Sequence, residues 1–146
     1  MKDEFMLKAL ENAKFAFQAG DVPVGAVIVK DGKIIAEAYN ERESENSAIA
    51  HAEILAIERA CKKLGRWRLS DCEMYVTLEP CPMCAGAILN ARLACVYYAL
   101  KDANAGALGS VLNLNSYPLL YKVRVEQGLY GEESRELLSS FFRVKR

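Results

Sequence analysis

The chain of 146 residues lacks several features that mark other classes of protein. It carries no net charge, since 19 acidic residues balance 19 basic ones, and this disfavours a general polyanion binder. No apolar run approaches the ~20 residues of a membrane span, and neither repeats nor low-complexity segments occur. With a hydrophobic fraction of 52%, these absences indicate a soluble globular protein with a single domain over residues 1–146 and no membrane partner.

Cysteine is present in an odd number, five, and the first residues lack the apolar block of a signal peptide. This combination favours reduced thiols and a cytoplasmic location. Cys61, Cys72 and Cys95 have no partner at a close metal-binding spacing, so we interpret them as small residues in or near the core.

Metal-binding residue types are concentrated in two short motifs. The only histidine, His51, stands two residues before Glu53, and Cys81 and Cys84 follow within a P-C-P-M-C sequence. Catalytic zinc takes three protein ligands and keeps a fourth position for water. His51, Cys81 and Cys84 fit that count and leave Glu53 free to transfer protons. The motifs therefore predict a hydrolytic zinc centre that converts C–NH2 to C=O and releases ammonia.

The spacing of these residues constrains their local structure. Cys81 and Cys84 share a face at the start of a helix, and Pro82 suits the first turn of that helix. His51 and Glu53 can face one ion only at a helix start, because residues two apart point in nearly opposite directions within a regular helix. We therefore predict a helix that begins at or just before His51.

Two other interpretations of the cysteine pair are weaker. A redox pair does not need the upstream His51 and Glu53, and no thioredoxin-like unit surrounds it. A structural zinc ion needs a fourth protein ligand, which no other cysteine supplies at close spacing. A further alternative is a noncatalytic binding module that zinc only stabilises. Glu53→Ala distinguishes the two, because in an enzyme it should abolish turnover while leaving zinc bound.

The hydrophobic pattern predicts alternating helices and strands. The predicted helices cover 5–17, 51–64, 82–90 and 132–142, and the strands cover 24–29, 34–39, 74–78, 94–99 and a short segment at 123–125. Asp31-Gly32 between the first two strands indicates a hairpin turn. The later strand–helix–strand alternation predicts parallel pairing, and Cys81 follows the carboxyl end of a strand, where such sheets bind ligands.

The motifs and the order of elements are similar to the cytidine-deaminase-like superfamily of zinc deaminases. Within it, residues 21–26, 75–81 and 138–143 resemble the family of bacterial tRNA-specific adenosine deaminases, and the similarity runs nearly end to end. The resemblance implies an α/β fold, a three-layer α/β/α sandwich around a central mixed five-stranded sheet. It also implies conversion of adenosine to inosine at the wobble position of a tRNA anticodon stem-loop, one Zn²⁺ per chain, and a homodimer whose tRNA site uses both subunits.

The resemblance also assigns residues that could contact the substrate. Asn40 stands where the family has an asparagine that hydrogen-bonds the flipped nucleoside, although a strand-ending turn residue is an equal alternative. Asp102 stands where the family has an aspartate near the ribose, and its alternative is a loop or cap carboxylate. A polar group there could reject the deoxyribose of DNA, so no DNA partner is expected.

The C-terminal residues 141–146 combine aromatic and basic side chains. Bases stack on aromatic rings while arginine contacts phosphates, so Phe142 and Arg143 are candidates for binding the tRNA. In the alternative interpretation the phenylalanines pack a last helix onto the core, and the basic residues interact with its C-terminal dipole.

Three departures from the family pattern leave a second substrate class open. Pro82 replaces a common valine, in a form also seen in guanine and other base deaminases. Leu120-Tyr121 stand where the family often has an Asn-His pair that contacts the substrate. The loop 41–45 is acidic and would repel phosphate if it lined the tRNA path. The alternative function is deamination of a free base or nucleoside of the guanine, cytosine or cytidine type.

Overall fold

The computed structural model describes residues 3–145. In chain order the elements are α1 (Asp3–Gln18), β1 (Gly25–Lys30), β2 (Lys33–Tyr39), α2 (Ala52–Leu64), β3 (Cys72–Leu78), α3 (Pro82–Ala91), β4 (Cys95–Leu100), a 3₁₀ turn (Leu114–Ser116), β5 (Arg124–Gln127) and α4 (Gly131–Lys145). Among these described residues no helix is long and apolar enough to cross a membrane.

The five strands form one mixed sheet in the order β2-β1-β3-β4-β5. β1 pairs antiparallel with both β2 and β3, whereas β3, β4 and β5 run parallel. Asp31 and Gly32 join β1 to β2 with φ values of 52° and 73°, the left-handed pair that a tight hairpin turn requires. The predicted hairpin, the parallel pairing and the mixed five-stranded sheet are all confirmed.

Helices cover both faces of the sheet. α1 and α4 pack on one face, and α2 and α3 pack on the other. Alternate side chains of β3 face opposite sides of the sheet. Met74 and Val76 pack in the core on the α2–α3 side, while Tyr75 packs in the cluster beneath α1. The architecture is thus the predicted three-layer α/β/α sandwich.

Two element boundaries differ from the sequence predictions. α2 begins at Ala52, one residue later than predicted, with His51 at its N-cap. β5 begins at Arg124 rather than Val123, because the backbone N–H and C=O of Val123 both bond to the side-chain amide of Asn115 at 3.0 and 2.7 Å. The 3₁₀ turn that contains Asn115 was not predicted, since its three residues show no periodicity.

Candidate active site

Two helix N-termini meet beyond the carboxyl end of β3. His51 is the N-cap of α2 with φ −76° and ψ 150°, and Cys81 is the N-cap of α3 with φ −74° and ψ 174°. Both residues are extended rather than helical, so the His51–Glu53 pair lies at a helix start as the spacing required. Pro82 occupies the first turn of α3, where its missing N–H removes no helical hydrogen bond.

These elements bring three ligand side chains together. The ligand atoms of His51, Cys81 and Cys84 all lie within 4.8 Å of one another. Nδ1 of His51 is 3.7 Å from Sγ of Cys81 and 3.5 Å from Sγ of Cys84. Zn–S bonds of about 2.3 Å and Zn–N bonds of about 2.0 Å at tetrahedral angles place such donors about 3.5 Å apart. One nitrogen and two sulfurs at this separation therefore fit a tetrahedral ion, and zinc suits them by ligand type.

The pKa values of the cluster favour a metal-binding form at Cys81, whereas the raised pKa values of Cys84 and His51 oppose the loss of a proton that metal binding requires. A hydrogen bond from the Cys84 thiol lowers the pKa of Cys81 to about 4, and the hydrogen bond with His51 acts in the same direction. The same contact with Cys81, together with burial, raises the pKa of Cys84. The hydrogen bond to Cys81 raises the pKa of His51. Cys81 is thereby held as a thiolate, the form in which cysteine binds metals.

Glu53 is a buried carboxylate beside this cluster. It stands in the first turn of α2 and is only 4% exposed. Burial raises the pKa of Glu53 to about 7, because the carboxylate loses its hydration. An acid whose pKa lies near neutrality can both accept and return a proton at physiological pH.

A cavity of about 140 Å³ opens next to the cluster, and its lining includes His51, Glu53, Cys81, Asn40 and Asp102. The structure therefore brings the two residues assigned through the resemblance to the same cavity as the motif residues. Each predicted site residue except Phe142 and Arg143 lies at or beside this cavity.

Asn40 has a structural partner inside the site. It is 5% exposed, and its Oδ1 accepts a hydrogen bond of 2.8 Å from the backbone N–H of Ala52. This bond satisfies one of the unpaired N–H groups at the start of α2. Asn40 is therefore not only a residue that ends a strand. Its side chain caps α2, and this hydrogen bond holds the amide of Asn40 at the cavity wall.

Asp102 lies at the start of the loop after β4. Its Oδ1 accepts hydrogen bonds from the backbone N–H groups of Asn104 and Ala105 at 3.0 and 3.1 Å. These contacts match the loop-carboxylate alternative. Because Asp102 and Ala105 also line the cavity, the turn that the carboxylate organises forms part of the site wall.

Phe142 and Arg143 lie apart from that cavity. Phe142 is 48% exposed and lines a separate surface cleft of about 480 Å³, which shares Val22 and Arg42 with the site cavity. Arg143 is exposed and donates to Ser140 Oγ at 3.0 Å within α4. The neighbouring Phe141 is buried, as the packing alternative expected. Arg146 and the side chain of Lys145 lie outside the described residues.

The structure shows where two of the departures from the family pattern lie and what their side chains contact. Leu120 is 94% exposed, and the Tyr121 hydroxyl donates to the backbone oxygen of Arg92 at 3.0 Å. Neither residue lines the site cavity. The acidic loop 41–45 turns one basic side chain, Arg42, into the cavity lining, while Glu41 pairs with Arg59 at 3.3 Å.

Sequence reasoning missed two charged residues of the cavity lining, Arg42 and Glu79. Arg42 stands between acidic residues in the loop, and a single basic residue in an acidic segment does not indicate a substrate contact. Glu79 lies within the segment 75–81 that resembles the family, and an acidic residue at the end of a buried strand is itself a signal of function. Its carboxylate is 1% exposed and holds the loop that carries Asp102.

The fold and this site define a deaminase, and residues 1–146 match the family model of the MafB19-like deaminases. The chain is 46% identical over 143 residues to the tRNA-specific adenosine deaminase of Bacillus subtilis (strain 168), an alignment that covers 97% of this chain and 89% of the relative. It therefore belongs to the family of the bacterial tRNA-specific adenosine deaminases.

Solved structures agree with this membership. A structure from studies of A-to-I editing by tRNA:A34 deaminases at the wobble position of transfer RNA superposes with a TM-score of 0.91 at 43% identity, covering 94% of this chain and 100% of that chain. A guanine deaminase from Bacillus subtilis superposes with a TM-score of 0.67 at 38% identity, covering 99% and 94% of the two chains. The fold is thus shared with both substrate classes, and the match is better to the tRNA enzyme.

Proposed function

We propose that this chain is a zinc-dependent tRNA adenosine deaminase, which hydrolyses adenosine to inosine at the wobble position of a tRNA anticodon. The observation that carries the proposal is the cluster of His51, Cys81 and Cys84 within 4.8 Å, with the buried Glu53 in the adjoining cavity. The adenosine substrate is supported by the relative with 46% identity and by the A-to-I editing structure.

His51, Cys81 and Cys84 would hold the zinc ion, which when bound would supply an activated water molecule at neutral pH. The chain's own residues do the remaining work. Glu53 accepts one proton from the attacking water and gives it to the purine ring nitrogen. It then accepts the second proton from the added hydroxyl group and gives it to the departing amine, so that the C=O bond forms as the C–N bond breaks. The balance is adenosine plus water giving inosine plus ammonia.

The cavity wall positions the nucleoside for this transfer. The amide of Asn40, held by its bond to Ala52, offers a hydrogen-bonding group to the flipped nucleoside. Asp102 stands at the rim where a ribose would lie. The 2′-hydroxyl of an RNA substrate can hydrogen-bond to the Asp102 carboxylate, a contact that DNA cannot make.

The remainder of the stem-loop is proposed to follow the surface towards α4. The cleft beside Phe142 joins the site cavity at Val22 and Arg42. A flanking base can stack on the exposed Phe142 ring, while Arg42 and Arg143 contact phosphates.

We further propose that residues 1–146 act as one zinc deaminase domain, that two chains form a homodimer, and that the protein works in the cytoplasm. A mainly apolar groove between α2 and α3 supports the homodimer; its lining includes Ile54, Ile57, Trp67, Ala87 and Ala91, with Glu58 and Asn90 among the polar residues. Trp67 is 52% exposed there. Multi-angle light scattering tests the assembly, and a monomer at micromolar concentration would contradict it.

The function is tested by incubating the zinc-loaded protein with an anticodon stem-loop that carries adenosine at the wobble position. Parallel reactions contain the matched DNA hairpin and free adenosine, cytidine, cytosine or guanine, and mass spectrometry detects the products. Inosine in the RNA stem-loop alone is the expected result.

Each other outcome would contradict a particular part of the proposed function. Equal turnover of the DNA hairpin would refute discrimination by the ribose. Turnover of a free base or nucleoside, without the stem-loop, would establish the alternative function. The Bacillus subtilis guanine deaminase structure and Pro82 favour guanine as the first such compound to test.

A further inference from the structure

Glu79 is a buried carboxylate that the proposed chemistry does not use. It directly follows β3, stands two residues before Cys81 and is 1% exposed. Both of its oxygens bond to the loop after β4. Oε1 accepts from the backbone N–H of Asp102 at 3.1 Å and from the Ser110 hydroxyl, and Oε2 accepts from the backbone N–H groups of Leu108 and Ser110 at 3.1 Å each.

These bonds give the loop contacts that regular secondary structure would otherwise supply. Residues 101–113 contain no helix or strand, although Gly106, Ala107 and Leu108 are buried. Buried backbone N–H groups need acceptors, and a buried carboxylate needs donors. Glu79 and the loop meet both requirements together, through charge-assisted hydrogen bonds.

The loop approaches Glu79 too closely for any side chain between them. A Cβ atom on Gly106 would lie 2.4 Å from Cδ of Glu79 and 2.6 Å from the backbone oxygen of Asp102. The loop is also held by a backbone hydrogen bond, in which the N–H of Ala107 donates to the carbonyl oxygen of Pro80 at 2.9 Å. Two consecutive residues before Cys81 therefore hold the same loop.

This loop forms one wall of the site cavity through Asp102 and Ala105. The position of that wall relative to Cys81 depends on Glu79, because the carboxylate is joined to the loop through space and to Cys81 through one intervening residue. We propose that Glu79 is a positioning residue for substrate binding, which sets the distance between the nucleoside-facing wall and the metal ligands. The substrate named in this inference rests on the proposed function.

The test compares the wild type with Glu79→Gln, which keeps the side-chain length but turns an NH2 group towards the loop N–H groups. We expect the KM for the RNA stem-loop to rise about tenfold while kcat changes less than about threefold. Bound zinc should stay at one per chain. Hydrogen exchange of the backbone amides of Asp102, Leu108 and Ser110 should become at least about tenfold faster.

Ser134→Ala is the matched control. Ser134 is equally buried, and its hydroxyl donates to the backbone oxygen of Thr77 at 2.7 Å, so the variant loses a buried hydrogen bond next to the same strand without touching the loop. It should lower thermal stability while leaving the KM and the loop amide exchange unchanged. A milder variant, Ser110→Ala, removes only one donor to Glu79 and should raise the KM about threefold.

An unchanged KM or unchanged loop exchange in Glu79→Gln would overturn the proposal. So would a joint loss of zinc and kcat, since Glu79 would then stabilise the metal-binding turn instead. If Glu79→Gln does not fold, the KM and exchange of Ser110→Ala decide the question in the same way. If the wild type fails on the stem-loop, the proposed function fails by itself, and the exchange data together with the KM for the compound it does deaminate decide the role of Glu79.

Discussion

Nδ1 of His51 lies 3.5 Å from Sγ of Cys84, although the two residues belong to different helices. α2 and α3 pack on the same face of the sheet, and each begins at the edge where the site cavity opens. Since the ligands lie at or next to the two N-caps, the packing of the helices on the sheet sets their separation.

Replacing Glu53 should separate catalysis from metal binding. Glu53→Ala or Glu53→Gln removes the proton carrier, and loss of a general acid–base typically costs about 10²–10⁴-fold in rate. We expect kcat for the stem-loop to fall within that range while zinc remains bound, because Glu53 is not one of the three clustered ligands. Steady-state kinetics and atomic absorption measure the two quantities.

Glu4→Gln serves as the control for Glu53, since Glu4 is an exposed residue in the first turn of α1 and does not line the site cavity. It should retain wild-type activity. Retained activity in the Glu53 variants would refute the assigned role of this residue and would return the noncatalytic binding module to consideration.

Removal of the metal should abolish activity and lower stability together. A ligand that binds only the folded state stabilises it, so a chelator should reduce the melting temperature, and added zinc should restore it. Cys84→Ser should bind zinc much more weakly, because a hydroxyl replaces a thiolate. Differential scanning fluorimetry with and without zinc measures both effects.

Cys61→Ser is the matched cysteine control, since Cys61 is half-buried in α2 and lies outside the ligand cluster. It should show the wild-type response to chelator and zinc. A Cys84→Ser variant with full zinc content and an unchanged melting temperature would show that the cluster is not the metal site.

Two substitutions at Asn40 should separate its capping role from its substrate contact. Asn40→Ala loses the acceptor for the Ala52 N–H and should destabilise the fold by about 1 kcal/mol while also raising the KM. Asn40→Asp keeps an oxygen acceptor and should retain most of the stability, yet it loses the amide donor and should raise the KM about tenfold. Denaturant melts and kinetics on the same samples test this. Wild-type KM in Asn40→Asp would limit Asn40 to the cap.

The contribution of α4 should appear in the salt dependence of RNA binding. In an inactive Glu53→Gln background, Arg143→Ala should weaken stem-loop binding and reduce the slope of log Kd against log salt concentration by about one. Phe142→Ala should weaken binding without changing that slope, because stacking releases no counterions. Fluorescence anisotropy measures both variants.

Lys62→Ala is the control for these α4 variants. Lys62 is exposed in the last turn of α2, at the end remote from His51. Its removal should leave the slope unchanged. If Arg143→Ala leaves RNA binding and its salt dependence unchanged, as Lys62→Ala should, the basic residues at the end of α4 do not contact RNA. They would then only stabilise that helix through its dipole.

Much of the architecture could be predicted from local patterns. The Asp31-Gly32 turn, the helical period of α1 and the strand–helix–strand order around Cys81 are each encoded within a few residues. Element boundaries were less predictable where a distant side chain intervened. Val123 bonds to Asn115 instead of continuing β5, and no short-range pattern could reveal that exchange.

The sequence by itself determined which residue types are available for chemistry, because His51, Glu53, Cys81 and Cys84 stand in two motifs whose spacing suits helix starts. Only the tertiary structure decided how the cavity is completed. Three separate segments complete it: the one after β2 with Asn40 and Arg42, the end of β3 with Glu79, and the loop after β4 with Asp102. Contacts such as those of the Glu79 carboxylate with the loop amides hold these segments together. Contacts between residues far apart in the chain depend on how the sheet and helices pack, and that packing leaves no periodic trace in the sequence.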